Sequence, residues 1–294
     1  MTIVPHETIF VDREHLPTFN SRAIESHLHR IPGLSENFLY FNDDWAFTSD
    51  VCPDDFWTQE TGYKLRVGSL LYSFAQRYLL ALFTPTCSSV CRDKRHNGQC
   101  DPGCNQQKCL FDGNECTPPK SGRPSFFDAL DFTGALFNDR MGYAYRWRTE
   151  HIPLLINKRI MIDLQNTFKS YFTATSSHHT RQRNDIQFEF AYINWLVEAP
   201  NSGLRSKIYP WLYKSTVVGT DDFAYIAYGG GSVRGNRETL TKTLSKRSRL
   251  KFLCVNDLID YTRPDGEIAE RLGVIGDFYR QLFPRRSKFE RSAK

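Results

Sequence analysis

The chain has 294 residues, 40% of them hydrophobic and 14% aromatic, with a formal net charge of +5. That is enough apolar material for one large packed domain or two ordinary ones, and it excludes a disordered chain. The basic excess collects near the C-terminus, in "KTLSKRSRLK" and "FPRRSKFERSAK", without the interleaved aromatics of a nucleic-acid-binding stripe, so nucleic acid is not an expected partner.

The opening "MTIVPHETIF" has neither the basic start nor the apolar core of a secretory signal, and no Asn-x-Ser/Thr acceptor occurs anywhere. Thr8 to Asp12 ("TIFVD") reads as a short buried strand. "SRAIESHLHRI" then puts Ala23, Ile24, His27, Leu28 and Ile31 on one helical face, and Pro32-Gly33 stops the helix. His27 and His29 are expected to be structural, the first turned to the core and the second to solvent. A second apolar run, "NFLYFNDD", ends in Asn42, Asp43 and Asp44. Strand, helix and strand in this order predict a βαβ unit with parallel pairing. Further on, Gly68 to Phe83 is apolar, but at about 16 residues, with Gln76 and Arg77 inside it, it is short of a span.

Six of the eight cysteines fall together: Cys87, Cys91, Cys100, Cys104, Cys109 and Cys116. So short a segment cannot bury a core and needs covalent or metal staples. The stretches between them, "RHNGQCDPGCN" and "FDGNEC", set oxygen side chains beside glycine turns, as a hard cation such as Ca²⁺ requires. Zinc is the alternative, since the C-x₃-C and C-x₄-C spacings also gather thiolates, but it would leave those carboxylates without a role. Of the other two cysteines, Cys254 sits inside an apolar run and reads as a buried residue.

Beyond the cysteines, His178 in "TSSHHTR" precedes a helical stretch, "NDIQFEFAYINWL", for which Asn184 or Asp185 would serve as cap. The stretch 200–249 supports no reading, and "YGGGSVRGN" reads as a flexible loop rather than a phosphate cradle. Then "LKFLCVNDLID" repeats the earlier pattern, an apolar run ending in Asn256 and Asp257. Ligands of parallel sheets sit at carboxyl strand ends, so two acidic ends could share one rim and hold Mg²⁺ on a diphosphate. The alternative is that each Asn-Asp pair caps the following turn.

The cysteine spacing, with "NGQCD" and "FDGNEC", closely resembles a Lin-12/Notch repeat. The resemblance implies the pairs Cys87–Cys109, Cys91–Cys104 and Cys100–Cys116, and a Ca²⁺ site near Asn97, Asp112 and Glu115. Glu115 stands where the family has Asp, and Lys94 where it has an early acidic ligand. "REHLPTFNSRAIESHLHRIPGLSENFLYFNDD" resembles the second conserved block of the Stealth family. "MGYAYRWRTEHIPLLINKRIMIDLQNTF" with "TSSHHTRQRNDIQFEFAYINWL" is similar to the third, and the stretch from "KFLCVNDLID" to "RRSKFE" to the fourth. The implied architecture is a Rossmann-like α/β sheet, residues 1–86 and 117–294, interrupted by the repeat at 87–116.

The family transfers N-acetylglucosamine-1-phosphate from UDP-N-acetylglucosamine to a sugar hydroxyl, in animal members the mannose 6-hydroxyl of lysosomal glycoproteins. Such chemistry needs diphosphate neutralisation, a proton acceptor and cations on the equatorial oxygens. The resemblance therefore assigns Mg²⁺ or Mn²⁺ to Asp43, Asp44 and Asn256, and donor contacts to Arg13, Glu14, His15, Asn42, Asp185, Gln187 and Asp257. His178 is the expected general base, with Asp44 and Arg181 also catalytic. It also implies a Golgi lumenal setting, a membrane anchor in a longer form, a glycan acceptor and a homodimer. Three departures bear on activity: the first conserved block is missing, Leu154 and Asn157 replace His and Asp in the third, and Gly68 to Phe83 reads as an insertion. An incomplete gene product is one expectation; a catalytically inactive, calcium-dependent binding protein is the other.

Overall fold

A computed structural model describes residues 2–67, 87–94, 99–106, 109–110, 116, 126–142, 144, 146–148, 150–203 and 210–285. The chain opens on α1 (His6–Ile9), a single turn, and not on a strand. Ile9 and Phe10 are buried against Ala23, with Val4, Leu16, Ile24 and Ile31 around them. Three consecutive apolar residues carry no periodicity, and here packing onto the next helix decides the backbone. That helix, α2 (Ser21–Glu25), is capped by Asn20, whose side chain accepts from Arg22 N, and a 3-10 turn follows at Leu28–Arg30. His27 is buried as expected. His29, expected in solvent, is half-buried and has a buried Nδ1. Burial, with Arg30 adding repulsion, lowers His27 to about 3 and His29 to about 4, so both stay neutral.

Strands β1 (Asn37–Tyr40), β2 (Trp45–Phe47), β3 (Trp57–Thr58) and β4 (Gly62–Arg66) precede the cysteine-rich segment, which includes α3 (Ser89–Lys94). After it come α4 (Phe126–Met141), β5 (Leu154–Asn157), α5 (Lys158–Thr167), α6 (Lys169–Ser177) and α7 (Phe188–Ser202). The remainder is β6 (Ser215–Val218), β7 (Phe223–Tyr228), α8 (Val233–Ser245), β8 (Phe252–Asp257) and α9 (Asp265–Leu282). Asn157, the departure from the third block, caps α5 by accepting from Arg159 N and Ile160 N, while Leu154 lies in β5.

The described strands form three small sheets, β1-β5, β2-β8-β7 and β3-β4-β6, in place of the single Rossmann-like sheet expected. The N-terminal βαβ unit is absent, because β1 pairs antiparallel with β5. Parallel pairing occurs instead between β7 and β8, joined through α8, and between β4 and β6, strands distant in sequence. Helix α7 runs through the main core, burying Phe188, Tyr192, Trp195 and Leu196, and the Phe137 and Phe168 rings stack at 5.0 Å beside it. Pairing between segments this far apart leaves no local pattern in the chain, so only core closure fixes it.

Helices α8 and α9 pack with β7 and β8 in a second core of Ile226, Tyr228, Leu240, Val255, Val274 and Phe278. The glycine triplet, expected as a flexible loop, joins β7 to α8 in a strand-to-helix connection. It is also held in place: buried Arg271 donates to Gly229 O (3.0 Å) and Gly231 O (2.9 Å). Gly229 has φ +104°, and a Cβ there would lie 2.4 Å from Ile259 N, so only glycine fits.

In the knot the three disulfides join Cys87 to Cys109, Cys91 to Cys104 and Cys100 to Cys116, as the repeat resemblance implies. Lys94, in the early acidic position, is ion-paired with Asp101 at 2.7 Å. The expected calcium ligands Asn97, Asp112 and Glu115, and the insertion Gly68 to Phe83, lie outside the described residues. Leu110 and Cys116 belong to the main core, so the knot is packed against the α/β body. Cys52 and Cys254 are free, the first exposed and the second buried. Among the described residues no helix is long and apolar enough to cross a membrane.

Candidate active site

Pairing of β2 with β8 builds the rim. Trp45 is opposite Cys254, and Val255 N donates to Asp44 O at 2.9 Å. Asp43 and Asp44 therefore stand at the end of the sheet where β8 finishes in Asn256 and Asp257, and where β7 runs parallel to it into the glycine loop. Two acidic segments more than two hundred residues apart in the chain share one edge.

The two ends differ in what their side chains do. Asp257 Oδ1 accepts from Ile259 N and its Oδ2 from Tyr261 OH, so it serves the turn, as the capping alternative holds. Asn256 Nδ2 donates to Tyr225 OH at 2.9 Å. Asp44 accepts from Cys254 Sγ at 3.3 Å through Oδ2, whereas its Oδ1 is buried with no hydrogen-bond partner. His151, from the segment leading into β5, completes a group with Asp44 and Cys254 whose ligand atoms lie within 4.8 Å of one another. Burial lowers the His151 pKa against the opposing pull of Asp44, and burial together with the Asp44 charge raises the Cys254 thiol. These oxygen and nitrogen donors fit a divalent cation, to be held by Asp44 with Asp43 and Asn256 close by.

A second cluster forms where α6 ends. His178 follows its last residue, and its Nδ1 donates to the fully buried Asp185 at 2.7 Å. Asp185 Oδ2 also accepts from Asn20 Nδ2 (3.0 Å), Gln182 N (2.7 Å) and Arg22 NH1 (3.4 Å). Gln187 Oε1 accepts from Arg22 Nε at 3.1 Å. Asp185 and Gln187 are thus fixed inside the fold, positioning His178 and Arg22 rather than facing a donor. Neither Asn184 nor Asp185 caps α7, since the cap position falls to Gln187.

Glu25 joins the clusters. Tyr40 OH donates to its Oε1 at 2.9 Å, and Tyr40 OH also lies 3.5 Å from Asn42 Oδ1. Its Oε2 is buried without a partner. Burial raises the Glu25 pKa to about 7 despite that hydrogen bond and the charges of Arg22 and Arg181. Glu189, on α7, is pushed well above the carboxylate range by burial and by the charges of Glu25 and Asp44. Arg181 is exposed and donates to Ser21 Oγ at 3.0 Å. The field of Arg181 reaches Glu25, and that of Asp44 reaches Glu189, so the interactions run from His178 to Cys254 through buried acids.

Three sequence candidates fall elsewhere. Arg13 and Glu14 form an exposed turn, with Glu14 N donating to Asp12 Oδ1. His15 shares the buried Ser176 hydroxyl with His27, at 2.8 and 2.7 Å, which makes it a clamp between the N-terminal turn and α6. Conversely, nothing in the sequence reading singles out Glu25, Glu189, His151 or Arg22. The one available signal is an Arg and a Glu three apart on a short helix whose face is otherwise apolar.

The fold and site define a mixed helix-and-sheet protein with acidic, histidine-containing clusters and a disulfide-knotted insert. Comparison with protein families matches residues 1–65 to Stealth protein conserved region 2, 150–198 to conserved region 3 and 243–294 to conserved region 4. The chain belongs to the Stealth family. Residues 84–117 match the LNR domain of Notch type. Over 123 residues, 42% of the chain, it is 42% identical to the N-acetylglucosamine-1-phosphotransferase subunits alpha/beta of Mus musculus, 9% of which is covered. The Homo sapiens protein is 41% identical over the same share. An exopolysaccharide phosphotransferase of Streptomyces coelicolor is 28% identical over 291 residues, 98% of this chain and 42% of that one. The chain thus spans less than half the length of these curated relatives.

Proposed function

We propose that this chain carries the catalytic domain of a phosphotransferase that moves N-acetylglucosamine-1-phosphate from UDP-N-acetylglucosamine to a sugar hydroxyl. The observation that carries the reading is the meeting of Asp43, Asp44 and Asn256 on one sheet edge, linked through Glu25 to the His178–Asp185 pair. The relatives support it, since the animal and bacterial proteins are both named as phosphotransferases. The animal relatives favour mannose 6-hydroxyl as the acceptor and a Golgi lumenal setting.

Each residue has a task in this reading. Asp43, Asp44 and Asn256 hold Mg²⁺ or Mn²⁺ against the diphosphate, and the ion neutralises charge as UMP departs. His178 donates Nδ1–H to Asp185, which leaves Nε2 to receive the proton of the attacking hydroxyl. Arg181 offers its exposed guanidinium to the transferred phosphate. Glu25, protonated near neutrality, keeps the cleft floor from repelling the donor. The catalytic domain is 1–86 with 117–294, the repeat at 87–116 binds Ca²⁺ through Asn97, Asp112 and Glu115, and a longer, membrane-anchored form pairs as a homodimer.

Calorimetry of the purified chain with UDP-N-acetylglucosamine and Mg²⁺ tests the reading, followed by UMP release with a mannoside acceptor. Binding heat that vanishes with EDTA or in Asp44→Ala is the expected result. A folded chain that takes up no donor would leave the calcium-dependent binding module as the surviving description.

A further inference from the structure

The described residues hold one group of three metal-binding side chains from three separate segments: Asp44 before β2, His151 before β5 and Cys254 within β8. Their donors are an oxygen, a nitrogen and a sulfur. The Sγ to Oδ2 separation is 3.3 Å, close to the edge of a tetrahedral zinc shell, about 3.5 Å for ordinary Zn–S and Zn–O bonds. All three donors lie within 4.8 Å of one another, so small side-chain movements bring them onto a common centre.

A second observation points the same way. Asp44 Oδ1 is buried and unpartnered, and Glu25 Oε2 is too. Unmet buried oxygens are costly unless a proton, water or cation attends them. Glu189 adds a third acid within the field of Asp44 and Cys254. The cationic side chains acting on Glu25 are Arg22 and Arg181, and Arg148 acts on His151 against the opposing charge of Asp44.

Magnesium demands six oxygen donors and takes neither a thiolate nor an imidazole readily. A mixed carboxylate, imidazole and thiolate set suits zinc and its neighbours, and three protein ligands leave a fourth position open. We infer that Asp44, His151 and Cys254 form a binding site for a zinc-class transition-metal ion, with the fourth position left open. This deepens the donor reading by naming a cation at the same rim, yet it stands or falls separately. When bound, such an ion would act as a Lewis acid beside the diphosphate oxygens.

The free cysteines are Cys52 and Cys254, so a Cys52→Ser chain with its disulfides intact has one thiol left. That chain, stripped with chelator and loaded with Co²⁺ alone, is expected to show a thiolate-to-cobalt charge-transfer band and tetrahedral ligand-field absorption. Added Zn²⁺ should quench both at one equivalent. Cys254→Ser in the same background should lose the charge-transfer band. His151→Gln, which leaves the strand core untouched, should weaken Zn²⁺ at least tenfold by competition titration. Absence of the band in the folded Cys52→Ser chain would overturn the inference, as would its persistence in Cys254→Ser or an unchanged zinc affinity in His151→Gln. Donor binding in Mg²⁺, measured on the same samples, reports the phosphotransferase reading independently. Its loss with the band intact would sink that reading alone.

Discussion

The cysteine knot and the acidic rim are built by opposite means. The knot is closed by three disulfides whose partners lie 13 to 22 residues apart, so a short stretch of chain holds everything its topology needs. The candidate site draws Asp44, His151, Cys254 and Asn256 at the rim, and Glu25 and His178 in the neighbouring cluster, from both sides of that knot, and exists only because β2 lies against β8 and α2 against α6. Covalent staples make a structure robust with little core; a site assembled by burial depends on all of the core at once. The two are not independent, since Leu110 and Cys116 are part of the main core.

The comparison can be broken at several points. At the end of α6, His178→Ala should lower turnover by about 10²- to 10⁴-fold with donor binding retained, measured as UMP release. Full turnover in that variant would remove the general-base assignment. In the main core, Trp195→Ala should cost about 3–5 kcal/mol in denaturant unfolding, because the side chain is fully buried on α7. In the knot, replacing Cys91 and Cys104 by serine opens a loop of sequence separation 13 and should cost roughly 3 kcal/mol, while donor binding survives if the rim is held by its own packing. Loss of donor binding in that variant would show that the knot shapes the cleft.

Glu25 offers a pH test of the buried acids. Its folded pKa is raised from 4.5 to about 7, so the folded state holds the proton more tightly. Stability from this group is fully present below pH 4.5 and is lost as pH rises through about 7. Glu25→Gln in metal-free protein should flatten that loss and raise the melting temperature at pH 8, by up to roughly 3 kcal/mol in stability. An unchanged pH profile would mean that Glu25 ionises freely in the fold. The smallest effect is expected at Asn157→Ala, about 1 kcal/mol from a lost helix cap, read by thermal unfolding.

Part of the candidate site was marked before any fold. The doubled Asn-Asp strand ends stood out by residue type and His178 through the resemblance to the third conserved block, and the structure brings Asp43, Asp44 and Asn256 to one edge. Arg13 and His15 also looked chemical, yet one is an exposed turn and the other a clamp on Ser176. A polar residue next to an apolar run looks the same whether it faces a cleft, solvent or a neighbouring helix. Glu25, His151 and Glu189 escaped for the converse reason: each sits in an ordinary helical or strand-leading context, and only burial among other acids gives it chemical character.

What the amino-acid order settled unaided was local: the cysteine spacing, from which a family resemblance implied the pairing, the β1 and β8 runs, and the turn residues around them. Those depend on short-range sterics and side-chain type. Which strands meet, in what direction, and which acids are left without partners followed from long-range closure of the core. Local propensities are worth tenths of a kcal/mol per residue, while burial of Trp195, Tyr192 and Phe252 is worth far more. That imbalance is why "TIFVD" did not become a strand and why two ends of the chain share a single edge.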